Sequence, residues 1–283
     1  MQINGKIALV LGGARGIGRE LGFALARAGA TVILTYYDWP EEAAAMQKDL
    51  TALDSRHLAV RIDLREAEQV KGLLDQIEER YQGLHILINN IERGGMPIVH
   101  GSYDLPLNCG QWDLEMTTTL KAKWLVFHHS LPLLKRAAEG VVVTLSSIAG
   151  IVGRSGPTGL IFSDGYAAAN RAVSSLTETW AREAAPTVRV NELMLGLFPS
   201  RHAEGTRGWD ELSSGQREAL SRHILLERPG RLDEIVKTVF FLIEGATYMT
   251  GSVIRLDGGY VLGAERVPPM PAGSLTESDR VED

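Results

Sequence analysis

One cysteine, Cys109, stands in 283 residues. That excludes an internal disulfide framework and a zinc site built on thiolates. No stretch of 18 apolar residues occurs, so no transmembrane helix is expected. The short apolar run at 7–11, behind Lys6, is ended at once by glycines and is too short for a signal peptide. Positive charge is sparse and scattered: 29 Lys and Arg against 35 Asp and Glu give a net charge of −6. No basic stripe could track phosphates, which argues against a nucleic-acid partner. His128 and His129 are adjacent on a helical pattern and point in different directions, so they define no metal site. What remains is ordinary. Hydrophobic residues make up 45% and charged residues 23%, as in an average soluble globular protein. The chain is long enough to bury a sizeable core unaided. A cytoplasmic enzyme or binding protein for a small molecule is the expectation, without membrane or nucleic acid.

Apolar bursts alternate with helical patterns from end to end. From Gly16 onward Ile17, Leu21, Ala24, Leu25 and Ala28 recur at helical spacing, and Gly29 ends that helix. Strands are expected at 6–11, 31–36, 57–62, 84–89, 141–146, 188–195 and 252–256. Helices fall at 40–53, where Pro40 suits a first turn, at 65–81, and between nearly all the later strands. Strands alternating with helices mean βαβ units and a parallel sheet. The crossovers are right-handed and put helices on both faces. The fold class expected is therefore α/β, one doubly wound domain of about seven parallel strands over residues 1–263. Segments 92–110 and 199–227 read as irregular, the second with a helix near 209–224. Residues 264–283 carry three prolines and an acidic end and are expected to be a tail, mobile or docked on a partner subunit.

Gly12, Gly16 and Gly18 fall between the first strand and the first helix with the spacing G-x-x-x-G-x-G. Glycines there tighten the turn and let the backbone approach a pyrophosphate, while the helix N-terminus offers free N–H groups. A tight turn without a ligand is the bland alternative. The position at the first βα unit of a series argues against it.

Further landmarks follow in order. They are Asp63 after the third strand, Asn89-Asn90 after the fourth, Ser146-Ser147 after the fifth, then Tyr166. Arg189-Val190-Asn191, Arg228-Pro229-Gly230-Arg231, Thr250-Gly251 and Asp257-Gly258-Gly259 complete the set. On these residues the chain resembles the short-chain dehydrogenase/reductase family over about 5–262, as a divergent member similar to its 3-oxoacyl-ACP reductase-like branch. The resemblance implies a Rossmann-type fold and hydride transfer between NAD(P) and a ketone or secondary alcohol. It implies cofactor contacts from Gly12, Arg15, Gly16, Ile17, Gly18, Tyr36, Asp63, Leu64, Asn90 and Asn170. Tyr36 stands where NAD users carry an acid, and Arg15 where NADP users often place a base. Both lean toward NADP as cofactor rather than NAD, although Asp38 is near enough to reach a ribose. Asp63 would cup the adenine; the alternative is a helix N-cap. The resemblance also makes 199–227 a substrate lid. It implies a homodimer or homotetramer through the helices at 111–136 and 165–185 and the segment 249–263. Trp124, Phe127 and Trp180 read as core or subunit contact. No metal is implied.

The catalytic set is altered. Ser147 fits the serine that holds the carbonyl oxygen, with Ser146 the weaker candidate. Tyr166 fits the proton donor, although the gap of 19 residues from Ser147 is longer than usual and enlarges the loop within 153–164. The lysine one turn later is missing: Asn170 occupies its place, since an i,i+4 pair shares a helix face. Arg171 points about 100° away. The helix asparagine falls on Thr119. Lys121 or Lys123 could reach the site from that helix, although solvated lysines are commoner. After Asn89-Asn90, where small residues are usual, stand Ile91 and Glu92, which would crowd or repel near the adenosine. Leu195-Gly196 replaces a Pro-Gly. Two functions compete. One is an oxidoreductase using Ser147, Tyr166 and Asn170. The other is a pseudoenzyme that binds a nucleotide or serves as a scaffold subunit.

Overall fold

The computed structural model describes residues 1–199 and 207–263. The expected tail at 264–283 and the lid residues 200–206 lie outside the described residues. In chain order the elements are β1 Ile7–Val10, α1 Gly16–Arg27, β2 Thr31–Tyr36, α2 Pro40–Leu53, β3 Leu58–Arg61 and α3 Ala67–Tyr81. They continue with β4 Ile86–Asn89, α4 Pro97–His100, α5 Gln111–Met116, α6 Ala122–Arg136, β5 Gly140–Ser147, α7 Ala149–Val152 and α8 Asp164–Ala184. The last are β6 Val188–Leu195, α9 Arg207–Asp210, α10 Ser214–His223, α11 Leu232–Phe240 and β7 Val253–Leu256.

The seven strands form one sheet in the order β3-β2-β1-β4-β5-β6-β7, and every pairing is parallel. The central strands read as continuous apolar runs because helices cover both faces. Alternation along β1 shows this: Ala8 and Val10 pack with Leu21 and Leu25 of α1 and Ile235 and Val239 of α11. Leu9 faces the other way, toward Val70, Leu73, Leu74 and Ile77 of α3 and Phe127 of α6. On that face Trp180 of α8 stacks on Phe127, ring centroids 4.5 Å apart at 14°. Both are core residues, whereas Trp124 is 43% exposed.

Two landmarks hold the far side together. Arg189 donates to the carbonyls of Leu242, Ile243 and Ala246, which satisfies the open carbonyls at the end of α11 and its following π turn. Asn191 donates to the Met249 carbonyl and accepts from the Ser252 N–H, which sets the register of β7.

The segment at 207–223 is two helices instead of the single one expected near 209–224. Ser213 caps α10 with a reciprocal Gln216 contact, a capping box that starts a new helix there. Asp63 is not a helix cap. Helix α3 begins at Ala67, with Glu66 as the preceding residue. The irregular segment after β4 contains the single turn α4 and is pinned by buried Glu115. That carboxylate accepts from the Gly95 N–H at 2.5 Å, the Tyr103 hydroxyl at 2.6 Å, and the Ser163 hydroxyl at 2.7 Å. Among the described residues no helix is long and apolar enough to cross a membrane.

Candidate active site

The strand order reverses between β1 and β4, and the crevice outside the carboxyl ends of such strands is where ligands bind. A cavity of about 440 Å³ opens there. The glycine loop, the end of β2, the segment after β4, the end of β5, Tyr166 and the segment 195–198 all line it.

At one end the backbone forms a cradle. Gly12 and Gly16 have positive φ values of 68° and 55°, which glycine alone takes without strain. A Cβ on Gly12 would stand 2.6 Å from the Asn90 carbonyl oxygen, and one on Gly18 would overlap the Gly12 carbonyl. Asn90 braces the loop by donating from Nδ2 to the Leu11 carbonyl at 3.0 Å. Among the described residues no side chain caps α1, and Gly16, Ile17 and Gly18 of its first turn line the cavity. A tight backbone cradle at an uncapped helix N-terminus is the geometry a pyrophosphate needs. These residues fit a dinucleotide.

Beside the cradle, the Arg15 guanidinium lies over the Trp39 ring, 4.1 Å from its centroid. Tyr36 accepts from Gln47 Nε2 at 2.7 Å and lines the cavity together with Asp38, Asp63, Leu64 and Arg65. The Asp63 carboxylate takes three hydrogen bonds from Arg65: one from its backbone N–H and two from its guanidinium. The guanidinium bonds chiefly hold that carboxyl below the usual aspartate range. Tyr36, Asp63, Leu64 and Arg15 are thus gathered on one wall.

The other end carries the altered catalytic set. Ser147 and Tyr166 both line the cavity. Ser147 Oγ accepts from the Ala149 N–H at 3.1 Å. Ser146 Oγ is turned to Glu192 Oε1, which leaves Ser147 as the serine better placed toward the cavity. Asn170 requires a correction. It is fully buried and is not part of the cavity wall. Its Oδ1 accepts from the Ser147 N–H at 2.9 Å, and its Nδ2 donates to the Tyr166 carbonyl at 3.0 Å. Its amide ties the serine to the tyrosine helix. Thr119, in a π turn at Thr117–Lys121, exchanges hydrogen bonds with the backbone of Arg93. It anchors the loop after β4.

Glu92 is also not where the sequence suggested. Its carboxylate turns from the nucleotide cradle toward Tyr166: Oε2 accepts from the phenol at 2.6 Å. Its Oε1 lies 3.4 Å from Lys123 Nζ. Lys123 is wholly buried and also donates to the Leu145 carbonyl at 2.5 Å. Burial pushes the Lys123 ammonium below the usual lysine range, while Glu92 and Glu192 pull it back up. Glu192, in the middle of β6, is pushed up by burial; Ser146 and Ser174 oppose this by donating to it, and the charge of Lys123 adds to their effect. A lysine from α6, not from α8, has therefore reached the carboxylate that bonds the tyrosine. Of the two lysines the sequence raised, Lys123 is the one that arrives. Glu192 was not read as a site residue, although a charge inside the apolar run 188–195 is a visible signal.

The parallel sheet and the cavity at its switch point have the form of the α/β dinucleotide-binding folds. A family model described as enoyl-(acyl carrier protein) reductase matches residues 12–261. The chain belongs to the short-chain dehydrogenase/reductase family. It is 29% identical over 266 residues to a 3-oxoacyl-(acyl-carrier-protein) reductase of Thermotoga maritima, covering 93% of this chain and 100% of that one. It is 30% identical over 261 residues to the protein of that name from Pseudomonas aeruginosa, covering 92% and 98%. Among solved structures, a putative short-chain alcohol dehydrogenase from Sinorhizobium meliloti superposes with a TM-score of 0.78 at 27% identity. That match covers 93% of this chain and 100% of the other.

Proposed function

We propose that this protein is an NAD(P)-dependent oxidoreductase that interconverts a ketone and a secondary alcohol, with NADP preferred. The observation that carries the reading is one cavity with a pyrophosphate cradle at one end and Ser147 and Tyr166 at the other. When bound, a nicotinamide would supply or take the hydride. Ser147 would hold the carbonyl oxygen, and Tyr166 would deliver or remove the proton at that oxygen. Asn170 would act as a positioning residue, fixing the backbone of both. The relatives named as 3-oxoacyl reductases support 3-oxoacyl thioesters as the first substrates to test. A homodimer or homotetramer fits Trp112 and Trp124, which stand 40% and 43% exposed on α5 and α6. A cytoplasmic setting fits the reading as well.

Arg15 would meet the 2′-phosphate. A hydrogen bond to a charged group contributes roughly 1.5–3 kcal/mol, so Arg15→Ala should weaken NADPH by about 10–100-fold and leave NADH nearly unchanged. Nicotinamide fluorescence titration checks this. Equal loss for both nucleotides would remove the NADP preference from the account.

The second reading is a nucleotide-binding or scaffold subunit without turnover. It is favoured by the neutral Asn170, whose amide is spent on the backbone. It expects nucleotide binding with no hydride transfer to any carbonyl.

A further inference from the structure

Three departures from the family pattern meet at one point. Asn170 puts a neutral side chain at the position one turn after the tyrosine where the family pattern has a cation. Glu92 brings a carboxylate to the phenol, 2.6 Å from its oxygen. Lys123 brings a buried cation to the other oxygen of that carboxylate, 3.4 Å away. The chain runs Lys123–Glu92–Tyr166 and ends in the cavity beside Ser147. Each part needs the others. A wholly buried ammonium is costly without an anion, and Lys123 faces Glu92 and, from β6, Glu192. A carboxylate at a phenol is a proton acceptor, and a length of 2.6 Å is that of a charge-assisted hydrogen bond. The Leu145 carbonyl ties Lys123 of α6 to β5 just before Ser146-Ser147, so one end of the relay is anchored to the strand that carries the serine.

We propose that Glu92 is the proton-exchanging partner of Tyr166 in the reaction of this site, and that Lys123 is the positioning residue that aims it. The proposal rests on the hydride-transfer reading above. In alcohol oxidation the substrate O–H proton passes to the phenol oxygen of Tyr166 as the phenol proton passes to Oε2 of Glu92. The carbinol C–H bond would break, and a bound oxidised nicotinamide would supply the acceptor for its two electrons as hydride, so the alcohol's two-electron oxidation balances. The released proton rests on Glu92, whose side chain is 25% exposed and passes it to water. Ketone reduction runs the same transfers backward, with Glu92 replacing the proton Tyr166 gives up.

The test uses the full chain with NADPH and an acetoacetyl thioester as the probe. Glu92→Gln keeps the shape and loses the proton-exchanging oxygen. It is expected to lower kcat by roughly 10²–10⁴-fold, the contribution of a general acid–base group. KM and the NADPH Kd, the latter measured by titration without substrate, should stay within about threefold, because the lost interaction belongs to the transition state. Glu92→Asp, which restores a carboxylate, should fall between. A proton inventory in mixed light and heavy water should be curved for the wild type, with two protons in flight, and linear for Glu92→Gln. Lys123→Met should lower kcat when Glu92 is present and add nothing in the Glu92→Gln background, the signature of two residues acting as one unit. If Lys123→Met does not fold, the Glu92 variants still decide. Tyr166→Phe inactive with Glu92→Gln at wild-type kcat would overturn this relay and leave the hydride-transfer reading standing. No turnover by the wild type, or full turnover by Tyr166→Phe, would overturn that reading and the relay with it.

Discussion

Replacing Tyr166 by Phe should lower kcat for ketone reduction by at least roughly 10²–10⁴-fold without disturbing the fold. In the proposed mechanism the phenol protonates a carbonyl held by Ser147, and both side chains line the cavity. Its ring packs beside Phe162, centroids 6.0 Å apart, and a phenylalanine keeps that contact. The variant loses the hydrogen bond to Glu92, but Glu92 retains Lys123, so no carboxylate is left without a partner. KM should change little, because the proton moves only in the transition state. Steady-state kinetics with NADPH and a 3-oxoacyl thioester, together with a thermal melt, check both halves. An unchanged kcat would remove Tyr166 from the mechanism.

The second large effect is expected at Gly18. An added Cβ there would overlap the Gly12 carbonyl and stand 2.7 Å from Asn90 Nδ2. Neither neighbour can yield cheaply: one is backbone, and the other holds the Leu11 carbonyl. Gly18→Ala should therefore open the cradle. NADPH binding should weaken by at least about 100-fold, and stability should fall by roughly 1–3 kcal/mol, the usual range for overpacking. Gly72, inside α3, is the control, since a Cβ there meets nothing within 4 Å. Gly72→Ala should bind NADPH normally and be more stable by roughly 0.5–1 kcal/mol. Titration calorimetry and a urea melt on both variants separate a cradle effect from a general one.

The sheet was legible because each central strand is a continuous apolar run bounded by glycine or polar residues, and all seven strands fall within the expected segments or a residue beyond them. The cradle was legible because glycine spacing is local. Ser147 and Tyr166 were expected from the family resemblance, on their places after a strand and at the start of a helix, and both line the cavity. The relay was not legible. Glu92 and Tyr166 are 74 positions apart, and Lys123 meets Leu145 across 22. A lysine on a helix is ordinarily solvated, and only the packed fold reveals that Lys123 is buried. Asn170 was expected to hold the ribose, and its amide instead bonds the Ser147 N–H of β5 and the Tyr166 carbonyl of its own helix, contacts that only the packed fold fixes. The capping box at Ser213–Gln216 is a different case: its pattern was in the sequence and divides the helix expected near 209–224.

The most direct test of the central claim is a single turnover with NADPH deuterated at the transferable position of the nicotinamide and an excess of an acetoacetyl thioester, read by mass spectrometry. The account expects one deuterium on the carbinol carbon of the 3-hydroxy product for each NADP⁺ formed. Tight NADPH binding with no deuterium in any product, across ketones of varied size, would contradict it and leave the nucleotide-binding subunit as the reading.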